Sequence, residues 1–434
     1  MRHSTGTSLL RVLGLFFGVA VSIGGTLGVG ILRQPGPVAS YLREPWLIML
    51  LWFAGAVYSS LGALNVAELA TLIPRAGGFY VYAREAMGDT AGFAVAWCDF
   101  LANISAAAYA AMAAVEFLGR VEPLAAIHPQ FAGIGFILMF AAIQWFGIRI
   151  SGRVQQIASA VAAVALFALV IACFTIHGSH SMPAPPAPVA SFGAALVLAI
   201  QSIVVTYDGW YEPIYFAEET RHPERRIPRA MFSGLALVSS IYLLLNLAFL
   251  RALGPAGLAA SKFAAADCAR LIFGKGSEIF LSALGIVILL TLLHVVLMTA
   301  TRILYAVGRD GLFWSRAALV AANGTPRRAL AVSALVAISL VLTGTLDQVI
   351  AMAGFFYVAN YCWSYISLLV LRARRPDAER PFRVPWYPLP TLLALAASLA
   401  FLSGAVFNDR ANSLYALLLL AASYPLRLVG KLCR

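Results

Sequence analysis

Apolar stretches of about 20 residues recur along the whole chain, and each is long enough to cross the hydrocarbon of a bilayer as a helix. Twelve are read, at 12–32, 46–73, 91–119, 131–149, 154–176, 193–217, 231–253, 277–305, 329–345, 347–371, 386–407 and 412–429. Only the few residues around Gly344–Asp347 separate the ninth from the tenth. Of the 434 residues, 61% are apolar and 12% charged. An average soluble protein has about 45–50% and about 25%. Mean hydropathy is +0.84. No loop is long enough for a soluble domain. The expectation is therefore one all-α unit embedded in a membrane, spanning 1–434. The start "MRHSTGTSLLR" enters its apolar stretch without a small-residue cleavage pattern, so that stretch reads as a spanning helix and not as a signal peptide.

Charge sets the expected orientation. With the N-terminus in the cytoplasm, about three quarters of the 31 Lys and Arg fall on the cytoplasmic side. Both termini are thus expected inside, in a cell inner or plasma membrane. The net charge of +12 reflects that asymmetry and attraction to anionic lipid. It is spread over many short loops, which argues against a nucleic-acid partner. The basic inner segments are 218–229, 308–328 and 372–385, and the outer loop 177–191 is Pro-rich and irregular. The five cysteines, Cys98, Cys173, Cys268, Cys362 and Cys433, are far apart and form no CxxC pair. His177 and His180 read as a solvated pair. Neither a disulfide framework, a metal site nor a cofactor is expected.

Two of the stretches contain helix breakers. The first holds "SIGGTLGVGI" (22–31), with Gly24, Gly25, Gly28 and Gly30. Each glycine weakens a helix by about 1 kcal/mol relative to Ala. Such glycines serve either close packing or a functional break. The sixth holds "TYDGWYEP" (206–213), which sets Asp208, Gly209, Glu212 and Pro213 at mid-membrane. A charge there costs about 2.5–3.5 kcal/mol on insertion scales. Unwound backbone at that depth survives only where protein buries it or water reaches it. Breaks five helices apart point to inverted repeats around a midplane site. Exposed N–H groups at one half-helix attract an anion, and exposed carbonyls at the other attract a cation. A free amino acid carries both charges at that separation.

Five motifs in order resemble the amino acid–polyamine–organocation transporters, and in particular their L-type amino acid transporter branch. They are "LGVGI" (27–31), "PRAGGFYVY" (74–82), "TYDGWYEPIYFAEETRHPERRIPRA" (206–230), "TRILYAVGRDG" (301–311) and "LRARRPDAERPFRVP" (371–385). The resemblance implies a LeuT-like fold with twelve transmembrane helices. Five helices (about 12–176) and an inverted five (about 193–371) would be followed by two extra ones (about 386–429), with helices one and six discontinuous. It implies an α-amino acid substrate. The substrate carboxylate would meet N–H groups around Gly28, Val29 and Gly30. Its ammonium would meet carbonyls around Ile23 and Gly24, and around Val205, Thr206 and Asp208. Thr26, Tyr207 and Gly209 belong to the same implied set. Two positions depart from the family pattern. Val205 stands where relatives carry a bulky aromatic, which passes the gate to Tyr207 or Trp210. No Lys or Arg lies between Arg153 and Arg221, and the family's fifth-helix lysine position falls near Ala162. Lysine-based proton coupling is therefore not expected, which favours exchange or facilitated transport.

Individual polar residues keep more than one reading. Asp208 caps freed N–H groups, contacts substrate or carries a proton. Glu212 pairs with a basic residue or faces the cytoplasmic vestibule. Glu68 bridges to an inner arginine, Arg75 or Arg309, and either holds the structure or latches a gate. Asp99 lies near the inner end of helix three, and Asn103 and Ser105 lie a turn deeper, within reach of substrate. Tyr357 and Asn360 are tenth-helix candidates. His294 reads as packed. The leading function is a sodium-independent exchanger of neutral L-amino acids working by alternating access. A carrier of cationic amino acids or polyamines is the alternative, and a transporter-like sensor a more remote one. No nucleophile–base set or phosphate loop suggests an enzyme. A homodimer is compatible with the sequence, and no obligate partner is implied.

Overall fold

The computed structural model describes residues 8–119, 128–175, 191–343, 346–408, 410–425 and 427. The Pro-rich loop with His177 and His180, Gly344, Cys433 and the terminal tails lie outside them. The described residues are helical, and a lone backbone bridge pairs Leu13 with Thr220.

The first apolar stretch is cut into α1 (Leu15–Thr26), α2 (Gly30–Arg33) and α3 (Pro35–Leu42). Then come α4 (Pro45–Leu72), the short α5 (Phe79–Met87), α6 (Asp89–Leu118), α7 (Pro129–Trp145) and α8 (Ile148–Phe174). The sixth stretch starts as α9 (Phe192–Thr206), turns through Tyr207–Tyr211 and ends in a 3-10 segment, Glu212–Phe216. Next follow α10 (Pro223–Ala260), α11 (Ala264–Phe273), α12 (Ser277–Arg309), α13 (Arg327–Thr343), α14 (Leu346–Arg374), α15 (Leu389–Asn408) and α16 (Arg410–Ala421). Every expected stretch thus coincides with a helix or a broken one. Among the described residues, seven helices are long and apolar enough to cross a membrane: α4, α6, α8, α10, α12 and most of α14 and α15. The chain is a multi-pass membrane protein.

The sixth stretch departs from two α-helical halves. Its second half is a 3-10 turn, because Pro213 lacks an N–H and Gly209 adopts φ +104°. α1 packs against α8, α10 and α12, while α6 packs along α12 and α14. Both broken segments therefore run through the protein interior, where neighbours can satisfy their freed backbone groups.

Candidate functional site

The two breaks touch backbone to backbone. A Cβ on Gly209 would sit 2.4 Å from the Gly25 carbonyl oxygen, and one on Gly25 would sit 2.9 Å from the Gly209 carbonyl oxygen. Only glycine fits on both sides of this crossing. α1 stops where the Thr26 hydroxyl bonds back to the Ser22 carbonyl (2.8 Å) and Leu27 turns extended. The Ser22 hydroxyl donates across the crossing to the Trp210 carbonyl at 3.1 Å. From α10, the Tyr242 hydroxyl lies 2.7 Å from the Thr26 carbonyl and 3.2 Å from the Thr206 carbonyl. One phenol thus serves the last carbonyls of both interrupted helices. Sequence reasoning missed it, since a tyrosine on an apolar helix looks like any core aromatic.

Beside the crossing lies a cavity of about 180 Å³, over ten times the minimum of roughly 10–15 Å³ that one water needs. Thr26, Gly28, Val29, Gly30, Val205, Thr206, Asp208, Gly209, Glu212 and Tyr357 all line it. No backbone carbonyl among the described residues accepts the N–H groups of Val29 or Gly30. Those amides begin α2 and provide the donors an anion seeks. Gly25 lines it too, and residues not singled out from sequence complete the wall: Arg33, Gln34, Ala106, Tyr109, Leu292, Val296 and Gly354. Arg33 pairs with Glu116 at 3.3 Å, with both side chains partly exposed. Such an exposed pair contributes little stability, so it can open readily.

Other residues lie elsewhere. Ile23 is buried away from the cavity, and its carbonyl accepts Leu27 N–H at 2.7 Å. Gly24 faces α8 and α12, where a Cβ would lie 2.2 Å from Gln155 Nε2, so it serves packing. Thr206 lines the cavity, but its carbonyl is engaged by Tyr242. Neither Tyr207 nor Trp210, the expected gate residues, lines the cavity. Tyr207 packs edge-on to Tyr242, with ring centroids 5.1 Å apart, and Trp210 stacks on Tyr361 at 5.6 Å. The aromatics at the cavity are Tyr109 and Tyr357, reached because α6 and α14 bring them past Val205. Asn103 stays a turn below, donating to the Asp99 carboxylate at 3.2 Å. Tyr215 (2.8 Å) and Asn360 (3.2 Å) also donate to Asp99, and Ser105 is buried off the wall.

Both cavity carboxylates meet neutral donors. Asp208 accepts from Tyr361 and from Tyr211 (3.2 Å). Glu212 accepts from Thr299 on α12 and has no basic partner among the described residues. His294 is fully buried and stacks on Phe140 at 4.9 Å, as a packed residue would.

Two polar clusters close the side expected to be cytoplasmic. Glu68 is entirely buried and grips Arg372 (2.6 Å), Arg380 (3.0 Å) and the Val384 N–H (2.7 Å). Its expected partners, Arg75 and Arg309, are engaged by Asp310 instead, at 3.0 and 2.9 Å. Arg84 (2.9 Å) and the Tyr80 hydroxyl (2.9 Å) join them, and Arg309 also binds Glu218. Burial alone would raise the pKa of Asp310. The Arg309 hydrogen bonds and charge, aided by Tyr80 and Arg75, outweigh it and hold the carboxyl below its ordinary value.

The amino acid permease family profile matches residues 8–423. The serine/threonine exchanger SteT of Bacillus subtilis (strain 168) is 25% identical to this chain, over 98% of it and 97% of the relative. The mouse b(0,+)-type amino acid transporter 1 is 26% identical, over 96% and 88%. The mouse large neutral amino acids transporter small subunit 2 is 27% identical, over 91% and 77%. With the profile spanning nearly its whole length, this chain belongs to the amino acid permease family.

Proposed function

We propose that the protein is a sodium-independent exchanger of neutral L-amino acids, built as a LeuT-like bundle of twelve transmembrane helices with both termini in the cytoplasm. The observation that carries the proposal is the crossing of two interrupted helices at Gly25 and Gly209 beside a cavity. A substrate carboxylate suits the Val29 and Gly30 amides. The Asp208 and Glu212 end of the cavity suits the ammonium, and Ala106, Leu292 and Val296 suit an apolar or small side chain. The Ala20 carbonyl of α1 and the Thr291 carbonyl of α12 already accept from neutral donors, Ser159 Oγ (2.7 Å) and Gln155 Nε2 (3.4 Å). That leaves them little capacity for sodium. The names of the relatives, which include a serine/threonine exchanger and a large neutral amino acid transporter, support the same class.

One observation favours cationic substrates as the second reading: Asp208 and Glu212 line the cavity with only hydroxyl and backbone neighbours. Counterflow in proteoliposomes separates the two. Vesicles loaded with unlabelled neutral amino acids should accumulate labelled serine or leucine equally in sodium and choline buffers. Flux that requires sodium, or that only arginine, lysine or diamines support, rejects the first reading.

A further inference from the structure

A second concavity, of about 420 Å³, lies at the start of α1, on the same face as the two polar clusters. Its walls are Val12, Leu13 and Gly14, the first turns of α8 (Arg149, Gly152, Arg153, Gln156) and Arg221. Three guanidinium groups meet there, and no carboxylate lines it. The nearby acids are committed elsewhere, Glu219 to Arg302 at 3.0 Å and Glu218 to Arg309. No acidic side chain pairs with Arg149, Arg153 or Arg221 among the described residues.

The same face of α8 points to what fills it. Arg149 and Arg153 are followed at helical spacing by Ile157, Val161 and Val164, all exposed (65%, 48% and 69%). Positive charge at one end of a stripe and bare aliphatic surface along the rest match a phosphate headgroup above an acyl chain. The rim is also the clasp that ties the broken segments together. Leu13 N–H donates to the Glu219 carbonyl at 2.8 Å, and Arg221 N–H donates to the Leu13 carbonyl at 3.0 Å. We propose that this pocket holds the headgroup of an anionic phospholipid, which bridges Arg149 and Arg153 to Arg221 and fastens the start of α1 closed.

Native mass spectrometry of the full chain, given phosphatidylglycerol or phosphatidylcholine of matched chains, tests this. Each basic residue near a membrane surface is worth roughly fivefold in binding. The variant R149Q/R153Q/R221Q should therefore lose phosphatidylglycerol retention by on the order of a hundredfold. R316Q/R328Q/R383Q, with the same charge removed from other exposed positions on that face, should retain it. Each single pocket variant should lose roughly fivefold, which keeps the test open if the triple variant folds poorly. Hydrogen exchange at the Leu13 and Arg221 amides should slow when phosphatidylglycerol is added to the native chain. Equal loss in both triple variants reduces the effect to bulk charge and overturns the site. Displacement by millimolar inorganic phosphate assigns the pocket to a soluble anion and overturns the lipid. Unchanged exchange at the clasp overturns the fastening. No amino acid is present in these measurements, so they stand apart from the transport reading.

Discussion

Gly25 and Gly209 matter for the side chains they lack. Gly209 combines φ +104° with a Cβ position 2.3 Å from the Gly25 carbonyl carbon, so alanine there meets both strain and collision. Gly209→Ala should cost about 1–3 kcal/mol from the backbone strain alone, lower the melting temperature in detergent and abolish counterflow. Gly28 differs. A Cβ there finds nothing nearer than 3.9 Å, and the residue lines the cavity. Gly28→Leu should leave the melting temperature near native while weakening substrate binding by more than roughly tenfold, through occupied space. Equal melting losses in the two variants would contradict this division between a structural and a ligand-facing glycine. Tyr242→Phe removes the hydroxyl shared by the Thr26 and Thr206 carbonyls. The loss of stability should be about 1–3 kcal/mol, the cost of leaving buried acceptors unmet, and should be read by thermal unfolding with counterflow alongside. The glycines were legible because breakers inside an apolar run are rare. Tyr242 was not, because its role exists only once α10 lies against both breaks.

Between elements, two ionic clusters do what no single helix can. One joins α4 to the end of α14 and its following loop through Glu68, Arg372 and Arg380. The other joins the loop before α5, and α5 itself, to the end of α12 through Arg75, Arg84 and Asp310. The sequence marked the segments of Arg75, Asp310, Arg372 and Arg380 as motifs and singled out Glu68, but paired Glu68 with Arg75 or Arg309. Glu68 and Arg372 are 304 positions apart, and charge type alone cannot choose among several inner arginines. Asp310 gives the second cluster a pH dependence. Its folded pKa is depressed, so the stabilisation is fully present above the unfolded carboxylate value of about 3.9 and is lost as pH falls through the lower folded value. Thermal unfolding from pH 7 to pH 3 should show a native melting temperature that declines at the acid end. Asp310→Asn should start lower and decline less. A parallel decline in both chains would place the acid sensitivity elsewhere.

For the molecule as a whole, composition and the spacing of apolar runs made the helices legible, since hydrocarbon length and internal hydrogen bonding leave few options. The two breaks were legible from the glycines of 24–30 and from Asp208 and Gly209, whereas their contact at Gly25 and Gly209 emerges only in the fold. The cavity wall was not, because Tyr109, Leu292 and Val296 look like ordinary core in sequence, and because Gly24 and Trp210 carry the same motif signals as residues that do reach the cavity. The assembled molecule is asymmetric across the cavity. Among the described residues, one side is held by the exposed pair Arg33 with Glu116, and the other by the Glu68 cluster, which buries Arg380 with it, by the partly exposed Asp310 cluster and by the Leu13–Thr220 clasp. Exposed pairs contribute about 0–1 kcal/mol, whereas breaking a buried one costs about 3–5 kcal/mol. The resting chain should therefore admit solvent from the Arg33 side. With the native cysteines replaced, a cysteine at the cavity residue Ala106 should react with a membrane-impermeant maleimide from that side only. Adding Glu68→Gln and Asp310→Asn removes an acid from each cluster. The opposite side should then become reactive and the first side less so, because one cavity exposed alternately requires the gain on one face to be a loss on the other. Reactivity that rose on both faces would mean a leaking pore rather than a carrier.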